Sequence, residues 1–155
     1  MSLQDAIMQK VKEARTLEFL CSNQLSLGKL IKKIRSIAKE QEERLKEGLS
    51  EAVVIHSFCG LFPTEIDSWR GSYDELALNF TSFKNDKEPM TVSVFLKMLE
   101  ETVGKTFIGY KGGEFKMDEG TPVWIDNYGE SSHTQVVGVL DDGYWIVLIA
   151  GYGEY

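Results

Sequence analysis

The chain has 155 residues, 43% of them hydrophobic and 26% charged. That is enough apolar material for one core and too ordinary a charge content for wholesale disorder, so neither a metal nor a disulfide scaffold is required. Net charge is −7, unevenly spread: residues 1–50 carry 10 basic against 7 acidic side chains, and residues 51–155 carry 7 against 17. So acidic a second part repels phosphate at long range, which argues against long nucleic acid as a partner. A small anionic ligand needs only two or three local cations and remains open.

Met1 to Lys10 lacks the basic flank and apolar block of a signal peptide, and no apolar run reaches membrane-spanning length. A reducing cytosol is therefore the expected compartment, with Cys21 and Cys59 as small core hydrophobes.

Ile7, Val11, Ala14, Leu17, Leu20 and Cys21 recur at helical spacing. A break at Ser22-Asn23-Gln24 precedes a second helix, with Ser26 as its N-cap and Gly48 past its end. Its apolar side carries Leu27, Leu30, Ile31, Ile34, Ile37, Ala38 and Leu45. Residues 1–50 thus read as a helical hairpin and a candidate oligomerisation element. The stripe Leu30, Ile34, Ile37, Gln41 has coiled-coil spacing for about two heptads. It packs either on this chain's own sheet or on another copy.

Residues 51–155 read as an α+β ligand-binding domain. Val53-Val54-Ile55 is a short β-branched run, Phe58 to Pro63 is apolar and irregular, and Glu65 to Ser72 reads as loop. Leu76, Leu78 and Phe80 alternate as in a strand, although Ser72-Tyr73-Asp74-Glu75 matches a capping box. Thr91 caps a helix with Val92, Phe95, Leu96, Leu99 and Val103 inward and Gly104 at its end. Hairpins are expected around Lys111-Gly112-Gly113 and Asp141-Asp142-Gly143, with a strand from Thr121 to Ile125 between them. The expected architecture is α+β: an N-terminal helical hairpin, then a mostly antiparallel sheet packed with one helix.

Chemical motifs are sparse. His56 and His133 stand apart without ligand-spaced partners, so no metal or cofactor is expected. There is neither a GxSxG elbow nor a Walker loop. The richest stretch is Ser68-Trp69-Arg70-Gly71-Ser72-Tyr73, which holds the one arginine beyond Arg44. An aromatic face can stack a base while the guanidinium grips phosphate. The plainer alternative is that Trp69 and Tyr73 anchor a loop and Arg70 pairs with an acid. Lys105, Lys111 and Lys116 can form a cationic rim around a hairpin, or simply keep its edges soluble. Asn127 can read a base edge or just shape a turn. Phe95 can stack a ring, although its spacing with Leu96 and Leu99 suits a core.

The segment Ser68 to Leu78, together with Gly104-Lys105-Thr106-Phe107, Gly109-Tyr110-Lys111-Gly112-Gly113, Thr121-Pro122-Val123-Trp124 and Asn127-Tyr128-Gly129, resembles small phage-encoded accessory proteins. Among these the chain is similar to the Thoeris anti-defence sponge family over about residues 52–149. That resemblance implies a non-enzymatic homo-oligomer (a dimer or hexamer) in the cytoplasm of an infected bacterial host. Such proteins hold cyclic ADP-ribose isomers made by TIR enzymes without cleaving them, and some also hold cyclic oligonucleotides. It implies a ligand site drawn from Trp69, Arg70, Ser72, Tyr73, Phe95, Lys105, Lys111 and Asn127. Arginine would grip phosphate, and an aromatic ring and an asparagine would surround adenine. The family pattern has more than one phosphate-binding arginine, whereas residues 51–155 hold only Arg70. Lys105 or Lys111 would have to substitute, or Arg35 or Arg44 would have to come from an assembly partner. The competing expectation is an acidic inhibitor that docks on a host defence protein.

Overall fold

The computed structural model describes residues 3–5, 9, 24–58, 60–67, 76–108, 113–125 and 134–152. It is an α+β structure with two long described helices, α1 (Leu27–Lys46) and α2 (Val92–Thr102). The strands are β1 (Val53–His56), β2 (Ile66–Asp67), β3 (Leu76–Leu78), β4 (Thr106–Ile108), β5 (Glu114–Lys116), β6 (Val123–Ile125), β7 (Thr134–Asp141) and β8 (Trp145–Tyr152). Six of them form one sheet in the order β1-β8-β7-β6-β3-β2, and β4 and β5 form a separate hairpin.

Local chemistry sets the helix ends. Ser26 accepts from the Lys29 N–H, and Thr91 accepts from the Val94 N–H. Gly104, at φ 83°, turns the chain out of α2 in a conformation glycine adopts without strain. The alternating stretch after Glu75 is indeed a strand, and Leu76, Ala77 and Leu78 are all buried because β3 lies between β6 and β2. Ile66 and Asp67 pair with β3, so the stretch expected to be loop contains a two-residue strand.

One core joins the helices to the sheet. Leu27, Leu30, Ile31, Ile34 and Ile37 of α1 belong to the same buried cluster as Val54, Leu76, Leu78, Phe95, Leu99, Val136, Ile146 and Leu148. The seam Leu30, Ile34, Ile37, Gln41 is therefore buried within this chain rather than left for another copy. Gln41 is only 2% exposed, and its Oε1 accepts the Ala52 N–H at 2.9 Å, tying α1 to the start of β1. Two helices, not one, cover the sheet, and α1 packs on α2 as well as on β7. Leu3 to Asp5 and Gln9 are helical; the rest of the expected first helix, with Cys21, lies outside the described residues.

The sheet is more mixed than the turn signals indicate. β2–β3, β6–β7 and β7–β8 are antiparallel, whereas β1–β8 and β3–β6 are parallel. Hairpin signals reveal only pairs that are adjacent in sequence; both parallel pairs join strands with other elements of the chain between them. β7 carries an irregularity at Val137, between the pairs Val136–Ala150 and Gly138–Ile149. A Cβ on Gly151 would come within 2.7 Å of Val137 Cγ1, so only glycine lets the bulged strand lie this close.

Strand direction creates two distinct ends. β1, β3, β6 and β8 run one way, and β2 and β7 run the other. The sheet curls so that the C-terminal ends of β1 and β3 meet. There the His56 ring reaches Asn79, and Phe62 and Thr81 exchange backbone hydrogen bonds at 3.0 Å.

Candidate functional site

The segment 68–75, which contains Trp69, Arg70, Ser72 and Tyr73, lies outside the described residues, but both its anchors are described. Asp67 ends β2 opposite Ala77, and Leu76 begins β3. The segment therefore springs from the N-terminal end of β3. The Leu76 N–H donates to Pro122 O at 3.1 Å, which joins this end to the chain entering β6.

The β4–β5 hairpin stands on the same end. Met117 is fully buried, and its N–H donates to Lys105 O at 2.9 Å while its carbonyl accepts the Gly104 N–H at 2.7 Å. Phe107 and Phe115 pair across the strands and lean on the core, with centroids 6.2 Å apart. By strand alternation Lys116 is exposed on the opposite face, and Lys105 is exposed at the base with Nζ 5.6 Å from the Phe107 centroid. The following turn is held by Asp118, whose Oδ1 accepts the Gly120 N–H at 2.8 Å. A cleft of about 500 Å³ opens here, lined by Phe115, Lys116, Asp118, Gly120, Thr121 and Pro122.

The N-terminus of α1 abuts this turn but has no amides to spare. The Leu27 N–H goes to Thr121 O, the Gly28 N–H to Glu119 O and the Lys29 N–H to Ser26 Oγ. The positive end of the helix dipole is thus spent on the fold rather than held open for an anion.

Of the expected site residues only Phe95 and Lys105 are among the described residues. Lys105 stands at the end of the sheet from which the Arg70 segment springs. Asn127 falls in the segment 126–133, outside the described residues. Lys111 lies in the undescribed tip of the β4–β5 hairpin. Phe95 is 0% exposed and belongs to the core, so its ring has no free face for a ligand. The two arginines considered for loan from the helical part are engaged within the chain. Arg35 pairs with Glu100 at 3.4 Å, and Arg44 stacks 4.9 Å from the Tyr144 centroid.

The sequence reading passed over a second concavity. At the other end of the sheet, on the face away from the helices, a pocket of about 400 Å³ is lined by residues that include Ile55, His56, Ser57, Phe83, Lys84 and Trp145. His56 is 2% exposed, its Nε2 donates to Asn79 O at 2.9 Å, and its Nδ1 is buried without a hydrogen-bond partner. Burial lowers its pKa to about 4, against the opposing effect of the Asn79 bond, so the ring is neutral at neutral pH. The available signal was parity: Val54 and His56 share one side of a β-branched run, which makes the histidine inward-facing.

Among the described residues no group of three or more His, Cys, Asp or Glu side chains could hold a metal ion, and no helix is long and apolar enough to cross a membrane. No protein-family model, curated protein or solved structure matches the chain.

Proposed function

We propose that this chain is a phage anti-defence protein that binds and sequesters cyclic nucleotide immune signals without cleaving them. The ligands are cyclic ADP-ribose isomers and, with them, cyclic oligonucleotides. In this reading it acts as a homo-oligomer in the cytoplasm of an infected bacterial host. The observation that carries the reading is the common origin of two features at one end of the sheet. The segment with Trp69, Arg70, Ser72 and Tyr73 is anchored there, and so are Lys105, Lys116 and the cleft between hairpin and turn.

Arg70 grips phosphate, Lys105 and Lys111 take the place of a second arginine, and Trp69 supplies the stacking face. Phe95, buried in the core, is left out of that role. Asn127 supplies the amide beside adenine in this reading; like Trp69, Arg70, Ser72, Tyr73 and Lys111 it lies outside the described residues. Holding a signal present at micromolar to nanomolar concentration takes about 8–12 kcal/mol. A stacked base and two charge-assisted phosphate contacts in a dry pocket are of the right size for that.

Native mass spectrometry of protein purified from cells making TIR-derived signals, followed by heat release, tests this reading. The expected result is an oligomer that releases intact cyclic ADP-ribose, and an Arg70→Ala protein that folds but comes away empty. Ligand retained unchanged by Arg70→Ala would remove the site, and recovery of cleaved ligand would make the protein an enzyme. An empty wild-type protein that captures a host protein in a salt-dependent manner would favour the acidic-inhibitor reading, which the acidity of residues 51–155 supports.

A further inference from the structure

The pocket beside β1 has a chemistry of its own. Leu3, Ile55, Phe83 and Trp145 supply apolar walls. Phe83 keeps 57% of its surface exposed and Leu3 64%, so the rim presents apolar area that the fold leaves uncovered. The polar side chains in the lining are Gln4, His56, Ser57, Ser82 and Lys84, all able to donate except at the unpaired His56 Nδ1. Ser57 Oγ accepts the Ala150 N–H at 3.0 Å, which leaves its own proton to give. Ser82 precedes the short 3-10 turn Phe83–Asn85 without using its side chain as a cap. Lys84 forms an ion pair with none of the described carboxylates. No aspartate or glutamate is among the described lining residues, although the chain as a whole carries −7. His56 adds no charge at neutral pH.

We infer that this pocket is a second binding site, distinct from the Lys116 cleft, for a small aromatic anion. The ring lies against Phe83, Ile55 and Trp145, and the carboxylate or phosphate meets Lys84 with the hydroxyls of Ser57 and Ser82. An apolar ring accounts for the exposed walls, and a negative head group accounts for a lining that offers protons and one cation but no anion. The cavity, at about 400 Å³, takes a bicyclic ring with a short acidic arm.

The test uses the full chain and three probes: indole-3-acetate, phenyl phosphate and the neutral indole-3-acetamide. Amide NMR shifts locate binding, and titration ranks affinity. The expected result is shifts centred on Ser57 and Ser82 to Lys84, with indole-3-acetate bound about tenfold more tightly than its amide. Lys84→Gln, at an exposed position that leaves the fold intact, should erase that preference. Phe83→Ala should weaken all three probes several-fold. Arg70→Ala should change none of these affinities, which separates this site from the proposed nucleotide site. Absence of shifts with both anions at 10 mM, equal affinity for acid and amide, or indifference to Lys84→Gln would each overturn the inference.

Discussion

The two faces of the six-stranded sheet are finished differently. Toward the helices, the side chains of β1, β3, β6, β7 and β8 merge with α1 and α2 in one large core, and the buried polar Gln41 has its partner. Away from them, Ile55, Phe62 and Val147 form a small cluster flanked by Leu140 and Trp145, and beside it lies an open pocket. Among the described residues, the apolar side chains of the first face are covered, whereas Phe83 beside the second cluster stays 57% exposed. Stability is therefore concentrated under the helices, and spare surface able to take a ligand lies on the outer side.

The sharpest way to break this comparison is truncation. Ile34 is 0% exposed under the helices, so Ile34→Ala should cost about 3 kcal/mol in a urea titration, whereas Leu140→Ala, only partly buried, should cost about 1. Equal losses would mean that the outer cluster bears as much of the fold as the inner core.

The next effect is one of pH. Because burial holds His56 near 4 in the fold, the unfolded chain, at 6.5, takes up its proton first as pH falls. The contribution is whole above pH 6.5 and drains away as pH drops toward 4; between pH 6.5 and about 5 it amounts to about 2 kcal/mol. Denaturation midpoints measured across that window should fall accordingly, with the imidazole followed by NMR. A flat profile would show that the ring stays open to water.

The smallest effect sharpens the comparison from the outer side. The Phe83 ring stands 4.9 Å from that of Phe62, edge to face, yet is mostly exposed. Phe83→Ala should cost about 1 kcal/mol or less, while removing one wall of the pocket. A loss as large as that of Ile34→Ala would make Phe83 a structural residue rather than a ligand-facing one.

Legibility in the sequence followed the range of the interactions. The caps at Ser26 and Thr91, the stripe of α1, the two hairpins and the strand after Glu75 could all be read, because each depends on neighbours a few residues away. The candidate site was legible only as residue types. That the start of β3 lies beside the chain entering β6 follows from the Leu76–Pro122 hydrogen bond, a contact across more than forty residues that no local pattern announces.

By itself, then, the sequence determined the two long described helices, the strands outside β2 and that the whole would be α+β. Their amphipathic periods and turn residues allow little else. Only the tertiary structure decided where the surfaces went. It placed the coiled-coil-like seam of α1 inside its own chain, drew Phe95 into the core, paired β1 with the distant β8, and set His56 at the back of a pocket. The physical reason is that burial and parallel pairing are contests among all apolar faces of the chain at once. A residue's local pattern states that it must be covered, not by what.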